Sequence, residues 1–351
     1  MYSEKVKNFL KKIEDDFGSL PKDLHITRKA CALVAISNGN IIKMEKPQVH
    51  HCPLFKTMFA YEELNENNIK NKFDWQCREW GMFTCHRKIC DDKIMVPFGA
   101  SEMMMYALKK KSVDAAITVC DGAGTVITSN PAVVQGIGAY MNGLFYTTPI
   151  PEVISNIENN SSKNSSSAVL SPKNAEIDQF KGVKLALEKG FKKIAVTVRG
   201  DEEKTIQKIR ELEEDLTKNN DLKIIIIAIC NTGISKKQAE VIRDNSDLAW
   251  ACASKYIRDI AGPYAILQVG MKIPVFVLTE NGLDFVTSYS SDSVVREKLI
   301  DKTGRHTGRH YITSGKYEEG AIKVRMGKFS VFLYETDKLP VSTFDEPEPL
   351  I

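Results

Sequence analysis

The sequence predicts an α/β protein of two α/β domains, the C-terminal one a mostly parallel, doubly wound sheet and the N-terminal one carrying a cysteine-rich loop segment. In the second half, continuous apolar stretches such as 193–198 and 223–229 alternate with helical patterns. This alternation is typical of parallel sheets that are covered by helices on both faces. A length of 351 residues is also too long for one ordinary core, which favours two domains.

The domain boundaries follow from composition. We predict an N-terminal α/β domain over 1–154, a Ser/Asn-rich linker or loop insertion over 155–174, a C-terminal Rossmann-like domain with a terminal hairpin over 175–335, and a tail over 336–351. The linker is polar and almost free of large apolar residues, which is typical of exposed segments. The tail is rich in proline and acidic groups, so we expect it to fray.

Overall charge and hydropathy exclude several partners. The chain has 48 Lys and Arg against 45 Asp and Glu, a formal charge of +3, so no global field draws it to nucleic acid or to an anionic membrane. The first residues are charged and the longest apolar run is short, which predicts neither a signal peptide nor a membrane span. We expect a cytoplasmic protein whose eight cysteines are reduced thiols or ligands rather than disulfides.

The first half begins with an amphipathic helix that ends near Gly18, because apolar residues recur there at helical spacing. Two strands flank Asn38-Gly39, the preferred dipeptide of a type I′ hairpin turn. A helix begins after Ser101, and 113–119 is a buried strand. The order of these elements places short loops next to strand ends, where ligands commonly bind.

One stretch, 74–90, holds three cysteines, one histidine and two tryptophans. Thiolates so close in sequence converge only when a loop folds back, and a metal or cluster is the usual reason. We predict that Cys77, Cys85 and Cys90 bind an iron–sulfur cluster, most simply 4Fe–4S, with zinc as the alternative. Cys52 is the fourth ligand in this hypothesis, while His51, His86 and Cys120 remain alternatives. The competing interpretation is that these thiols pack as small apolar side chains.

A second candidate site is the loop Cys120-Asp121-Gly122-Ala123-Gly124-Thr125, which directly follows the strand 113–119. Backbone N–H groups at Gly122 and Gly124 would hold an anion, and Cys120 would act as a nucleophile. The spacing matches no dinucleotide or P-loop fingerprint. Near the C-terminus, Gly-Arg-His occurs twice, and Arg305 and Arg309 would clamp a phosphate or carboxylate.

The second half supplies the strands 193–198, 223–229, 248–252 and 274–278, and a helix opened by the capping box of Ser235 and Gln238. Cys230 and Cys252 each end an apolar strand, and we predict that both are buried core thiols. The stretches 320–325 and 329–334 form an antiparallel hairpin across Met326-Gly327-Lys328.

Three segments resemble the family called methanogenesis marker protein 8. They are the strand and loop 113–127, the Cys77-x7-Cys85-x4-Cys90 segment, and Trp250-Ala251-Cys252-Ala253-Ser254-Lys255. The likeness runs from about His25 to about Glu335. It implies an archaeal, methanogenic context and an accessory role around methane formation, but no reaction and no residue roles.

Three hypotheses follow. The first is a metallocluster-binding accessory protein that assembles, activates or delivers electrons to a methanogenesis enzyme such as methyl-coenzyme M reductase or its activation machinery. The second is a small-molecule enzyme that uses Cys120 together with the Arg305 and Arg309 clamp on an anionic substrate. The third is a scaffold protein without metal, whose thiols are simply buried. The sequence leaves open whether the protein is an enzyme.

Overall fold

The computed structural model describes residues 4–138, 143–160, 166–217, 221–315 and 317–351. It is a mixed α/β protein with one large mixed sheet and one small antiparallel sheet. The helices are α1 Glu4–Phe17, α2 Pro53–Phe59, α3 Glu66–Trp80, α4 Ala100–Lys109, α5 Pro131–Gly138, α6 Pro151–Asn159, α7 Gln179–Glu188, α8 Glu203–Thr217, α9 Lys236–Asn245, α10 Glu280–Thr287 and α11 Ser293–Leu299. A π-helical turn covers Ile257–Ala261 and a 3₁₀ turn covers Gly262–Tyr264.

The strands are β1 His25–Lys29, β2 Ala32–Ser37, β3 Asn40–Met44, β4 Ala115–Cys120, β5 Gly124–Thr128, β6 Tyr146–Thr147, β7 Ser167–Val169, β8 Lys193–Arg199, β9 Lys223–Ile229, β10 Leu248–Trp250, β11 Leu267–Val269, β12 Val275–Val277, β13 His310–Thr313, β14 Ile322–Met326 and β15 Phe329–Glu335. The large sheet has the order β14-β15-β13-β11-β12-β10-β9-β8-β4-β5-β7, and the small sheet has the order β3-β2-β1-β6.

Parallel pairing in the described part of the chain is restricted to β4-β8-β9-β10 and to β11-β13. The remaining neighbours in the large sheet are antiparallel, including β12 on both of its sides. The predicted mostly parallel sheet is therefore wrong in its outer parts. Short strands such as β11 and β12 are joined by a tight turn rather than by a helix, and such a connection allows only antiparallel pairing.

The large sheet also crosses the predicted domain boundary at residue 154. Strand β4 precedes that boundary, yet it pairs in parallel with β8, which follows it. Strand β7, inside the predicted linker, pairs with β5. Part of that linker, 161–165, lies outside the described residues. Pairing across the boundary makes one continuous sheet of strands that the composition had assigned to separate segments.

Successive residues of the central strands point to opposite faces of this sheet. Ala195, Ile225 and Ile227 pack into one apolar cluster together with Met103 and other residues of α4. Ile194, Val196, Ile224 and Ile226 pack into a second cluster with residues of α7, α8 and α9. Helices thus cover both faces of the central strands.

Several local predictions are confirmed. Asn38 and Gly39, at φ +49° and +69°, form the predicted hairpin turn between β2 and β3, and β14 and β15 form the predicted C-terminal hairpin. Ser235 and Gln238 form the capping box of α9. In the described part of the chain, no helix is long and apolar enough to cross a membrane.

The tail is not frayed, contrary to prediction. The Ile351 N–H donates to Ala253 O at 2.9 Å, and the Lys255 N–H donates to Ile351 O at 3.2 Å. Glu346 forms an ion pair at 3.1 Å with Arg258, whose side chain is fully buried. Composition alone misses these contacts, because they join segments about a hundred residues apart in sequence.

Candidate functional site

The carboxyl ends of β4, β8, β9 and β10 lie along one edge of the large sheet, because these strands are parallel. Asp121, Cys230 and Cys252 follow β4, β9 and β10, and Arg199 is the last residue of β8. Ligand sites of open α/β sheets commonly lie at this kind of edge. The chemically active side chains of the protein should therefore be sought here.

The hairpin turn between β1 and β2 packs against this edge. Arg28 donates to Thr232 O at 3.2 Å and also to Cys230 O. The Cys31 thiol lies 3.8 Å from the same Thr232 oxygen. These contacts join the small sheet to the loop that follows β9. They place the end of β1 next to the carboxyl edge of the large sheet.

Lys29, the last residue of β1, is the most unusual side chain of this region. It is only 5% exposed, and its Nζ has no hydrogen-bond partner among the described residues. Cys230, Asp121 and Cys77 lie within electrostatic range of the ammonium group, and burial lowers the pKa of Lys29 from 10.5 to about 8. A buried cation without a partner costs several kcal/mol, and groups of this kind are more common at functional sites than elsewhere.

Of the acidic groups that the structure describes near Lys29, none serves as its counter-ion. Asp121 forms a fully buried ion pair with Arg87 at 2.9 Å, and it also accepts the Phe83 N–H. Burial raises the pKa of the Cys230 thiol, and it raises the pKa of Cys77 to about 12. Both thiols are therefore neutral near pH 7. The positive charge of Lys29 is left uncompensated.

Further cations lie close by. Among the described residues, Arg28 donates hydrogen bonds to carbonyl oxygens and to no carboxylate, so it adds a second positive charge. Lys72 on α3 is buried, its ammonium lies 3.9 Å from the Phe55 ring centroid, and burial together with nearby Lys29 lowers its pKa well below the usual value. Arg199 is neutralised by Asp201 and Glu202 at 2.9 and 3.2 Å. The uncompensated positive charge of the region therefore rests on Arg28 and Lys29.

Three cysteines at this edge have left-handed backbone conformations. Cys31, Cys230 and Cys252 have φ values of +64°, +56° and +47°. Such conformations are uncommon for residues other than glycine, and they often occur at functional sites. Cys230 and Cys252 are half-buried as residues, Cys252 packs against the main apolar core, and burial raises the pKa of both thiols, so the prediction of buried core thiols is met in part. We call the group of Arg28, Lys29, Cys77, Cys230 and Cys252 the Lys29 site.

The predicted metal ligands are not brought together. Cys77 lies in helix α3 rather than in a loop, and Cys85 and Cys90 are exposed beyond the end of that helix. The Cys90 thiol donates to Asn160 Oδ1 at 3.2 Å, and Cys52 is the N-cap residue of α2. Within the described ranges, no three His, Cys, Asp or Glu side chains are placed to hold a metal ion. The predicted ligand set therefore does not fit a single metal ion.

Arg87 explains why these cysteines diverge. Its side chain is fully buried, and it donates to Lys88 O, Gly136 O and Ile137 O at 2.7, 3.2 and 3.1 Å as well as to Asp121. In the segment 81–90, the side chain of Arg87 therefore points into the protein interior. Cys85 and Cys90 consequently face solvent.

The Cys120 loop is a hairpin turn and not a ligand loop, because β4 and β5 pair directly through it. Cys120 is fully buried, and burial raises its pKa, which makes it a poor nucleophile. The Gly122 N–H already donates to Thr147 Oγ1 at 2.8 Å. A side chain at Gly124 would lie 2.2 Å from Ala175 O. Protein atoms fill the space in which we predicted an anion.

The predicted arginine clamp lies at the opposite edge of the large sheet. It precedes β13, which runs parallel to β11 and hence to β10. Arg305 and Arg309 are exposed, and His306 Nδ1 lies 2.7 Å from Glu280 Oε1. The clamp cannot act on a substrate held near Cys120.

Local sequence patterns do not single out Lys29, and they predict core positions for Cys230 and Cys252. One local signal was present, since Arg28-Lys29 are two consecutive basic residues at the end of a strand that is otherwise almost entirely buried. The approach of β1 to the loops after β9 and β10 is a long-range contact without a local sequence pattern.

Fold and site together define a mixed α/β protein with a buried, cationic and thiol-rich site at the carboxyl edge of its sheet. The chain belongs to the family of uncharacterised proteins conserved in archaea (DUF2099), which matches residues 25–290. It is similar to the uncharacterised protein MJ0054 of Methanocaldococcus jannaschii, at 38% identity over 261 residues, 74% of this chain and 88% of the relative. No solved structure matches the chain.

Proposed function

We propose that the protein binds a small anionic molecule at the Lys29 site and acts on it as an enzyme. The observation that carries this proposal is the buried Lys29 ammonium, which has no hydrogen-bond partner and no counter-ion among the described residues. An anionic group of a ligand would supply both. The position at the carboxyl edge of parallel strands supports the same conclusion.

The charge balance indicates the class of ligand. Arg28 and Lys29 present positive charge with no carboxylate partner in the described part of the chain, and the thiols beside them are neutral because burial raises their pKa values. A carboxylate or phosphate group is the ordinary complement of buried Lys and Arg. The ligand is small, because the β1–β2 turn and the loop after β9 are in direct contact.

The experiment measures thermal stability with and without inorganic phosphate or malonate at constant ionic strength. A ligand that binds only the folded protein raises the melting temperature, and tenfold more ligand above Kd adds about 1.4 kcal/mol. We expect this rise in the wild-type protein and its loss in Lys29→Gln. Lys323→Gln, on an exposed position of β14, is the control and keeps the rise. Equal responses of all three proteins would contradict the proposal.

A metallocluster-binding role is the second candidate. One observation favours it: Cys252 lies within electrostatic range of both Cys230 and Cys52, so thiols from three distant parts of the sequence lie in the same region of the protein. The ligands of a cluster stand farther apart than those of one ion, and an iron–sulfur cluster with four thiolates is anionic. This candidate keeps the predicted iron–sulfur cluster and the ligand Cys52. Cys230 and Cys252 take the place of Cys77, Cys85 and Cys90 as the other ligands.

The iron and acid-labile sulfide content of anaerobically purified protein tests this candidate. Loss of iron in Cys230→Ser and Cys252→Ser, with full iron in Cys85→Ser and Cys90→Ser, would support the new ligand set. The reverse pattern would support the set predicted from sequence spacing. Protein without iron and sulfide, before and after reconstitution, would remove the candidate.

The cellular context is part of the same proposal. The similarity to a protein of Methanocaldococcus jannaschii supports the proposed relation to methanogenesis marker protein 8 and an accessory, cytoplasmic role in methanogenesis. Methyl-coenzyme M reductase or its activation machinery would then be the partner. Co-purification of tagged protein from a methanogen, compared with a Lys29→Gln strain, tests this relation.

A further inference from the structure

The amine of Lys29 has two properties that a simple anion-binding cation does not need. Its Nζ is free of hydrogen bonds among the described residues, and burial lowers its pKa to about 8. We propose that Lys29 forms an imine with a carbonyl group of the bound anion. The inference rests on the proposed function and names its substrate class: a small aldehyde or ketone that carries a carboxylate or phosphate group.

The neutral amine is the nucleophile in imine formation, so the neutral fraction matters. At pH 7 a lysine with a pKa of about 8 is roughly one-tenth neutral, whereas an ordinary lysine is about 0.03% neutral. Lysines that form imines in proteins owe their reactivity to this kind of desolvation. The absence of a hydrogen bond leaves the lone pair of Lys29 available to a ligand.

Lys72 differs from Lys29 in geometry although its pKa is also lowered. Its ammonium lies 3.9 Å from the Phe55 ring centroid and 5.4 Å from that of Phe59. Aromatic faces at these distances stabilise the cationic form, which is not nucleophilic. Lys72 is therefore the matched control: a buried lysine of low pKa that should not react.

The reaction needs no oxidant or other co-reactant. The Lys29 nitrogen forms a bond to the carbonyl carbon, and the electron pair of the C=O π bond moves to oxygen. A proton passes from nitrogen to that oxygen, a second proton from solvent water lets the hydroxyl group leave as water when the C–O bond breaks, and the nitrogen lone pair forms the C=N bond of a protonated imine. The protonated imine keeps a positive charge, which the anionic group of the ligand balances in place of a protein carboxylate.

The experiment treats the full chain with glyoxylate, a small aldehyde with a carboxylate group, and with cyanoborohydride, which reduces an imine to a stable amine. Peptide mass spectrometry then follows labelling at each lysine. At pH 7 we expect Lys29 to be labelled at least about tenfold faster than exposed Lys323, since its neutral fraction is about 300 times larger. Glycolate, which has the carboxylate but no carbonyl, should slow labelling at Lys29 only.

Two variants separate this inference from the proposed function. Lys29→Arg keeps the cation but cannot form the imine, so it should retain stabilisation by malonate and lose the rapid labelling. Lys72→Arg should keep both. Labelling of Lys29 no faster than of Lys323, with malonate binding intact, would overturn the imine and leave the anion site standing. If Lys29→Arg does not fold, the glycolate competition in the wild-type protein decides by itself, because rapid labelling that ignores glycolate also overturns the inference.

Discussion

Lys29 makes a pH-dependent contribution to stability whose direction is fixed by its lowered pKa. Folding lowers this pKa from 10.5 to about 8, so between these pH values the unfolded chain binds more protons than the folded one. The free energy of unfolding therefore gains a contribution that grows as pH rises, by about 3 kcal/mol over the whole window. We expect Lys29→Met to lack this contribution. Urea unfolding at pH 7 and pH 10 measures it.

The comparison with the wild-type protein isolates Lys29 from the thiols. Burial raises the pKa of Cys77 and Cys252 to about 12, so their contribution to stability is lost as pH rises above the unfolded value of 9.0. Both proteins contain these thiols, and their effect cancels in the difference. Lys323→Met should change with pH as the wild-type protein does. If the free energy of unfolding of Lys29→Met also changes with pH as that of the wild-type protein does, Lys29 is well solvated.

At this scale the sequence shows which residue types are available but not which of them meet. The close spacing of Cys77, Cys85 and Cys90 suggested convergence, yet α3 extends to Trp80 and buried Arg87 leaves the later cysteines outside. Cys230 and Cys252 follow apolar strands, which suggested core thiols. Their left-handed conformations depend on loops packed against another sheet, and such contacts leave no local pattern.

The segment 81–90 is held by one buried arginine, and this gives a prediction at the scale of the element. Arg87→Met removes the ion-pair partner of the buried Asp121 carboxylate and frees three carbonyl groups. We expect the free energy of unfolding to fall by about 3–5 kcal/mol, measured by urea denaturation. Arg78→Met is the control, because Arg78 is exposed and its pairing with Glu79 is worth less than about 1 kcal/mol. A similar loss in both variants would contradict this role of Arg87.

The turn between β4 and β5 is a structural element, which a pair of glycine substitutions tests. Gly124 and Gly190 both have positive φ, but a Cβ at Gly124 would lie 2.2 Å from Ala175 O, whereas nothing lies within 4 Å at Gly190. Gly190→Ala should cost about 1 kcal/mol, the price of the left-handed conformation. Gly124→Ala should cost at least about 3 kcal/mol, because backbone must also move. Equal melting temperatures for the two variants would show that the turn has room for a ligand.

Elements with a complete local pattern were predictable, and elements defined by their partners were not. Asn38-Gly39 and Ser235-x-x-Gln238 each contain the groups that make their turn or cap, so both were confirmed. The stretch after Cys120 has the small residues of a ligand loop. Only its pairing with β5 distinguishes it as a hairpin.

For the whole molecule, composition predicted the α/β class but placed a boundary inside a continuous sheet. The polar stretch after Asn159 resembles a linker, although β7 follows it and pairs with β5. Parallel pairing of β4 with β8 joins segments that are far apart in the chain. The carboxyl edge, and with it the Lys29 site, exists only because these distant strands pair.

The C-terminal tail, 336–351, packs beside this edge, and its contacts allow one more prediction. Ile351 packs against an apolar cluster that contains Cys31, Val49 and Ala253, and Cys52 packs against the same cluster. Ile351→Asp would place a carboxylate there, at a cost of about 1–3 kcal/mol. Local opening should become about tenfold or more frequent, so the alkylation of Cys52 by iodoacetamide should accelerate by that factor.

Phe344→Asp provides a control in the same tail, because Phe344 is 99% exposed and its replacement removes no packing. We expect the alkylation rate of Cys52 in this variant to equal that in the wild-type protein. The alkylation rate of Cys85, which is exposed whether the tail is packed or released, should be the same in all three proteins. Acceleration in Ile351→Asp alone would mean that the tail covers the thiols on this side of the carboxyl edge. Equal alkylation rates of Cys52 in all three proteins would mean that the tail does not control access to the thiols. The tail would then either be open already in the wild-type protein or cover no thiol.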